Sequence, residues 1–205
     1  NGMYIKDNYH KFGGNFSVEH KVLDNLSIKA NANITHNKRH SNGWLSYTRN
    51  PIFPVYDENG NYWLYGETDY YHPLAITNLQ KNESKGFDLI SSFLVDYQVF
   101  PFLNLKAQLN YKHGESIGDL YYPKKYTSIG VRNNGYGKIS NGKSDNVVFE
   151  TYATFDKIFN ERHHVTAMGG YSYEQYQSRS SSLAAKNFVN ESLGNENLAA
   201  GDAQS

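Results

Sequence analysis

The sequence predicts an all-β chain, an antiparallel up-and-down segment of a transmembrane β-barrel with about six long strands in three hairpins. Three observations carry this. Long runs alternate between apolar and polar residues, connections alternate between short and long, and the chain is rich in aromatics yet hydrophilic.

The first hairpin lies in residues 12–34, FGGNFSVEHKVLDNLSIKANANI. Phe12, Gly14, Phe16, Val18, His20 and Val22 alternate with Gly13, Asn15, Ser17, Glu19 and Lys21. After a tight Leu-Asp-Asn turn, Leu26, Ile28, Ala30, Ala32 and Ile34 alternate with Ser27, Lys29, Asn31 and Asn33. Successive side chains of a strand point to opposite faces, so each run has one greasy and one wet face. Strands are expected near 11–22 and 26–37.

The second hairpin repeats the pattern, with Phe87, Leu89, Phe93, Val95, Tyr97 and Val99 before a turn at Pro101 and Leu103, Leu105, Ala107, Leu109 and Tyr111 after it. In the third, Val147, Phe149, Ala153 and Phe155 precede a turn at Asn160 and Glu161, and Val165, Ala167, Gly169, Tyr171 and Tyr173 follow. These give strands near 87–100, 103–114, 146–158 and 163–178. Only residues 73–79 offer a helical piece.

The connections 39–86, 117–142 and 182–205 are long and rich in Gly, Asn, Ser and Tyr, whereas the hairpin turns are short. In an up-and-down sheet this alternation puts all short turns at one end and all long loops at the other. Runs of about 11 residues at about 3.3 Å each, tilted by about 45°, rise roughly 26 Å, enough for the apolar band of a membrane barrel. The alternative is a soluble β-sandwich that binds carbohydrate through exposed Trp and Tyr, whose strands would be shorter and whose apolar face would meet a second sheet.

Composition narrows the function. Lys plus Arg and Asp plus Glu each number 20, so no net charge draws the chain to nucleic acid. Cysteine is absent, which removes disulfides and thiolate chemistry. No run of about 18 apolar residues could form a spanning helix, and NGMYIKDNYHKFGG has neither the basic nor the apolar region of a signal peptide. There are 18 Tyr, 11 Phe and 2 Trp against a mean hydropathy of -0.70, a pairing that suits a barrel with a polar lumen and aromatic rims.

Residues 150–176, ETYATFDKIFNERHHVTAMGGYSYEQY, and 49–63, RNPIFPVYDENGNYW, resemble the SusC/RagA family of TonB-linked outer-membrane transporters of Bacteroidetes. The resemblance implies a 22-stranded barrel with a plug, energised through TonB and capped by a SusD-like surface lipoprotein. It further implies a place in the outer membrane of a Gram-negative cell, contact with outer-membrane lipid, and import of oligosaccharide or peptide fragments. Six strands fall short of the smallest closed barrel, about eight, and no plug, TonB box or signal peptide is visible, so residues 1–205 are expected to be one consecutive piece of barrel wall.

Within that frame the substrate or lid contacts are expected in the first long loop, at Trp44, Tyr62, Trp63, Tyr65, Tyr70 and Tyr71, together with Tyr47 and Tyr56. Aromatic faces stack on sugar rings or pack against peptide side chains at little entropic cost, although the same residues could instead pack the loop or seat a lipoprotein. Arg49, Glu67 and Asp69 could add polar recognition. Asn59-Gly60 reads as a type I′ turn of a small hairpin, because the surrounding carboxylates lack calcium-loop spacing. His163 and His164 read as a polar turn rather than a metal site, since strand neighbours face opposite ways. No nucleophile elbow or phosphate loop appears, so no enzyme activity, cofactor or metal is expected.

Overall fold

The computed structural model describes residues 6–41, 52, 54–64, 71–192 and 194–204. Six long strands form three hairpins: β1 (Asn8–Leu23), β2 (Leu26–His40), β3 (Lys81–Phe100), β4 (Leu103–Tyr122), β5 (Tyr136–Phe159) and β6 (His163–Lys186). The short β7 (Asp202–Gln204) adds to the loop end of β6. All lie in one antiparallel sheet in chain order, and it does not close among the described residues. Helices α1 (Pro73–Leu79) and α2 (Ser128–Asn133) and a 3₁₀ segment (Gly194–Ala200) decorate the loop end.

The register joins the two faces of every strand into continuous surfaces. Val18 sits opposite Ala30, Ala30 opposite Phe93, and the row continues through Leu109, Phe149 and Tyr173. On the other face Ser17, Asn31, Ser92 and Asn110 form a row in which Ser17 donates to Asn31 at 2.7 Å and Asn31 to Ser92 at 3.0 Å. A one-residue slip would exchange these faces, so the pattern that defines the strands also fixes their pairing.

Among the described residues no second layer covers the apolar face. Phe12 is 81% exposed and Phe16 62%, and the buried apolar cluster that these residues form, Tyr121, Ala185, Phe188 and Leu198, lies at the loop end. A sandwich requires an opposing sheet, and the described residues form only one, so the soluble β-sandwich alternative fails. So much contiguous apolar surface is unusual on a soluble chain and ordinary for a barrel wall in lipid.

The turn end carries an aromatic girdle. Phe100 and Phe102 stack with centroids 5.4 Å apart, Phe102 meets Phe155 at 5.6 Å, and the Lys157 Nζ lies 4.7 Å above the Phe102 ring. Aromatic rings with a snorkelling lysine suit the edge of a bilayer. Two turns have two-residue loops with a neighbouring bulge, between Lys21 and Leu23 and between Gln98 and Phe100. The third, whose type the sequence did not single out, has the two left-handed residues of a type I′ turn, Asn160 at φ 48° and Glu161 at φ 57°.

Several boundaries differ from the sequence expectation. β3 begins at Lys81 rather than near 87, β4 runs to Tyr122 rather than 114, β5 begins at Tyr136 rather than 146, and β6 reaches Lys186 rather than 178. The long connections are correspondingly shorter than 39–86, 117–142 and 182–205. Much of the extra length is polar or small, as in KNESKG, SNGKSD and RSSS, and its apolar residues, among them Ile117, Leu120, Ile139 and Leu183, are too scattered to set a period of 2, while ladder hydrogen bonds need no particular side chain. The helix at 73–79 forms as read. Pro73 occupies its first turn, where a missing N–H costs nothing, and the His72 Nδ1 accepts from the Leu74 N–H at 3.1 Å.

Candidate functional site

The loop end holds two features: a tyrosine cluster above the sheet, and a plate of small polar residues on the face opposite the apolar rows.

The cluster starts from the turn at residues 57–60. The Asp57 carboxylate accepts from the N–H groups of Asn59 at 2.9 Å and Asn61 at 2.8 Å, and the Gly60 N–H donates to the Asp57 carbonyl at 3.0 Å. The small hairpin therefore forms, closed by the Tyr56–Tyr62 bridge, but its turn is not type I′. Only Gly60 has positive φ, at 79°, so a three-residue loop of type I with a left-handed glycine replaces the expected Asn-Gly pair. Asp57 decides the outcome, because its side chain organises the turn one residue earlier.

This hairpin stacks Tyr56 on Tyr62 with centroids 5.2 Å apart, and Tyr62 meets the edge of Tyr126 at 5.6 Å. The Asn78 Nδ2 at the end of α1 donates to the Tyr62 hydroxyl at 2.6 Å. The hydrogen bond to Tyr62 holds the Tyr56 phenol above its ordinary pKa, and the charge of Tyr62 acts in the same direction. Three separate stretches thus converge on Tyr62.

Of the expected contact residues, Tyr62 is at the centre of the cluster. Trp63 follows it, half-buried, with its N–H donating to the Val55 carbonyl at 3.0 Å. Tyr71 bridges Leu64 and is half-buried. Trp44, Tyr65 and Tyr70 lie outside the described residues, as do Tyr47, Arg49, Glu67 and Asp69. Tyr126 and Asn78 were invisible to sequence reasoning, because both reach Tyr62 only through tertiary contacts.

The plate extends over four strands. Ser84, Gly118, Ser140 and Ser182 form one row; Gly86, Ser116, Gly142 and Ser180 the next; Asp88, Gly114, Ser144 and Ser178 the third. Across β4 and β5 serine and glycine alternate as on a checkerboard. A Cβ on Gly118 would come within 2.7 Å of the Ser140 Oγ, and one on Gly142 within 2.7 Å of the Ser116 Oγ. Each glycine leaves the room its partner's hydroxyl fills, so the surface is flat, polar and short-chained. Its signal in the sequence is the spacing of ESIGD, SNGKSD and SRSSS, in which Ile117 is the sole large apolar residue, too little to mark a strand.

Beside these, residues 187–192 and 194–201 fold back on β4 to β6. Tyr121 and Phe188 meet edge-on at 5.7 Å, and Glu191 accepts from the Tyr121 hydroxyl at 2.9 Å and the Lys124 N–H at 2.6 Å. Burial, then the Glu191 carboxylate, raises the Tyr121 phenol well above its ordinary pKa. No cluster of three or more His, Asp or Glu suited to a metal occurs among the described residues. His164 pairs with Asp156 at 2.7 Å.

With this geometry in place, likeness to known proteins becomes informative. A TonB-dependent receptor P3 of Formosa agariphila is 24% identical over 158 residues, and TonB-dependent receptor P39 of the same organism is 26% identical over 151 residues. This chain is similar to TonB-dependent receptors. The match covers 76% and 72% of it but only 16% and 14% of those proteins, so the chain spans about a sixth of the length of its curated relatives. No family model matches.

Solved structures agree on the fold. The RagAB peptide transporter superposes with a TM-score of 0.75 at 19% identity, over 96% of this chain and 23% of that one. The RagAB peptide importer in its closed-closed state gives 0.72 at 17% identity, over 91% and 22%. The resemblance to the SusC/RagA family and the barrel-segment fold class are both borne out, and an open sheet is what one part of a barrel wall should show. These relatives are named as receptors and transporters rather than enzymes.

Proposed function

We propose that this chain forms part of the wall and outer loops of a SusC-like, TonB-dependent importer in the outer membrane of a Gram-negative cell. The observation that carries the reading is the single sheet with one continuous apolar face and one continuous polar face, matched by sequence to TonB-dependent receptors. The apolar rows meet outer-membrane lipid. The polar rows line a lumen that a plug domain fills and through which TonB delivers energy.

The cargo is an oligomer, peptide or glycan, handed over beneath a SusD-like lipoprotein. Tyr62, Trp63 and Tyr71, with Trp44, Tyr65 and Tyr70, supply aromatic faces for substrate or lid, and the Ser/Gly plate gives an extended chain a surface without protruding side chains. The RagAB neighbours are described as carrying peptides, which makes peptides the first cargo to try. No catalytic step is assigned to this stretch.

The test uses the full-length transporter in its native outer membrane, with uptake of fluorescent oligopeptides and oligosaccharides as the readout. Tyr62→Ala with Trp63→Ala should lower uptake about tenfold, while the barrel still resists unfolding in cold detergent. Unchanged uptake of both cargo classes by the variant would remove the aromatic loop from the reading.

A further inference from the structure

On the face that carries the apolar rows, the chemistry changes abruptly toward the loop end of β1 to β3. His10 pairs with Lys38 and Lys38 with Lys85, one row beyond the row of Phe12, His36 and Phe87. In the next row Asn8, His40 and Glu83 stand side by side. Lys6, Asn8, His10, Lys38, His40 and Glu83 line one concavity on this face. The alternation places Asn8, His10, Lys38, His40 and Glu83 on the side of Phe16, Val18, Ile34 and Phe93, and Lys6, which precedes β1, reaches the same concavity.

The concavity itself is net positive, with Lys6 and Lys38 against Glu83. Lys85 lies beside it on the same face, where Glu115 and Asp119 flank its β4 partner Ile117, and Glu115 is held by the His113 Nε2 at 3.2 Å and the Lys143 Nζ at 4.0 Å. Glu83 holds the Lys38 Nζ at 3.3 Å and the His40 Nδ1 at 3.7 Å, while Lys85 has no carboxylate within 4 Å among the described residues. Asp119, opposite Glu83 on β4, already accepts from the Asn195 Nδ2 at 3.1 Å.

A hollow lined by lysine and histidine directly above exposed phenylalanine and isoleucine matches one ligand chemistry. Acyl chains lie along the apolar rows, and an anionic phosphate sits against the ammonium groups. We infer that the loop end of β1 to β3 is a binding site for an anionic, phosphate-bearing membrane lipid, with Lys38 and Lys85 on the phosphate and Phe12 and Ile34 against the acyl chains. The inference rests on the reading of the apolar face as lipid-facing. Glu83 has a definite part in it: it orients Lys38 and His40 and competes with the phosphate for them.

Native mass spectrometry on the full-length transporter in detergent tests the site, with phosphatidylglycerol, phosphatidylcholine and inorganic phosphate as probes. Phosphatidylglycerol should be retained at least about tenfold better than phosphatidylcholine. Lys38→Gln with Lys85→Gln should lose on the order of tenfold or more of that retention, each lysine near an anionic headgroup contributing roughly fivefold. Glu83→Gln should raise retention, which a merely structural glutamate would not do. Equal retention of the two lipids, or a lysine double variant like wild type, overturns the site. Inorganic phosphate retained as well as the lipid would make it a free-anion site and overturn the lipid assignment. A nitroxide at Ala30 separates the two levels of failure: a label accessible to a nickel chelate rather than to oxygen defeats the lipid-facing reading, whereas a lipid-immersed label without phosphatidylglycerol preference defeats this inference alone.

Discussion

Gly142 lies directly opposite Ser116, and a Cβ added to it would stand 2.7 Å from the Ser116 Oγ. The same relation joins Gly118 to Ser140 and, more loosely, Gly114 to Ser144 at 3.1 Å. A strand normally loses stability at glycine, so a run of glycines within a ladder calls for a cause. Here the cause is the facing hydroxyl.

The pair makes a reciprocal prediction. Gly142→Ser places two side chains in one space and should destabilise the wall by about 1 kcal/mol, within the usual range for neighbouring residues. Exchanging both residues, Ser116→Gly with Gly142→Ser, recreates the arrangement in mirror form and should recover most of the loss. Urea unfolding of the full-length barrel in vesicles measures both, and additive effects would show that the two positions are not coupled.

Tyr62 tests whether the outer loops act as one unit. Its hydroxyl accepts from Asn78 at 2.6 Å, and its ring touches Tyr56 and Tyr126. Tyr62→Phe removes the exposed hydrogen bonds to Asn78 and Tyr56 and should cost about 1–2 kcal/mol of local stability. Tyr62→Ala also removes the ring contacts, each worth about 0.5–1.5 kcal/mol, and should free all three stretches together. Hydrogen exchange over residues 54–64, 73–79 and 123–127 reads this out. Faster exchange confined to 54–64 in the alanine variant would mean that the cluster is no staple.

Tyr121 gives the loop end a pH dependence of defined sign. Burial and Glu191 raise its phenol above the ordinary value near 10. Below that value the group is neutral whether residues 187–201 are docked or released, and stability is flat. Above it the released state loses its proton first, so docking weakens as pH rises. Protection of residues 187–201 should therefore hold to about pH 10 and fall beyond it. Tyr121→Phe should abolish the slope, and a slope that persists in that variant assigns the effect to another group.

The sequence displayed the membrane-crossing part of each strand and little else. Leu103 to Tyr111 and Val147 to Phe155 alternate because lipid requires apolar residues on one face, and that requirement writes a period of 2. Beyond Tyr111 and before Val147 the same face reads His113, Glu115, Lys143 and Asp145, with the His113 Nδ1 2.7 Å from the Asp145 Oδ1. The strands continue there, but polar surroundings on both faces erase the period. The helix at Pro73 announced itself through proline at its first position, whereas α2 has only six residues and its Thr127 cap is one threonine among many. The tyrosine cluster was half legible: aromatic enrichment marked the loop, but the pairing of Tyr62 with Tyr126 and Asn78 depends on the fold.

The turn between β5 and β6 holds a strain that one substitution should relieve. Asn160 at φ 48° and Glu161 at φ 57° both occupy the left-handed region, and the Arg162 N–H closes the turn on the Phe159 carbonyl at 3.1 Å. A type I′ turn matches the twist of its two strands, and Asn-Gly is its preferred sequence. Asparagine tolerates this region, whereas the Cβ of glutamate meets its own carbonyl there at a cost of roughly 1 kcal/mol. Glu161→Gly should therefore stabilise the hairpin by about 0.5–1 kcal/mol, and Asn160→Gly by clearly less. Urea midpoints of the two variants in vesicles decide it. A larger gain at Asn160 than at Glu161, or a loss at Glu161, would mean that the glutamate side chain holds the turn by a contact stronger than its backbone strain.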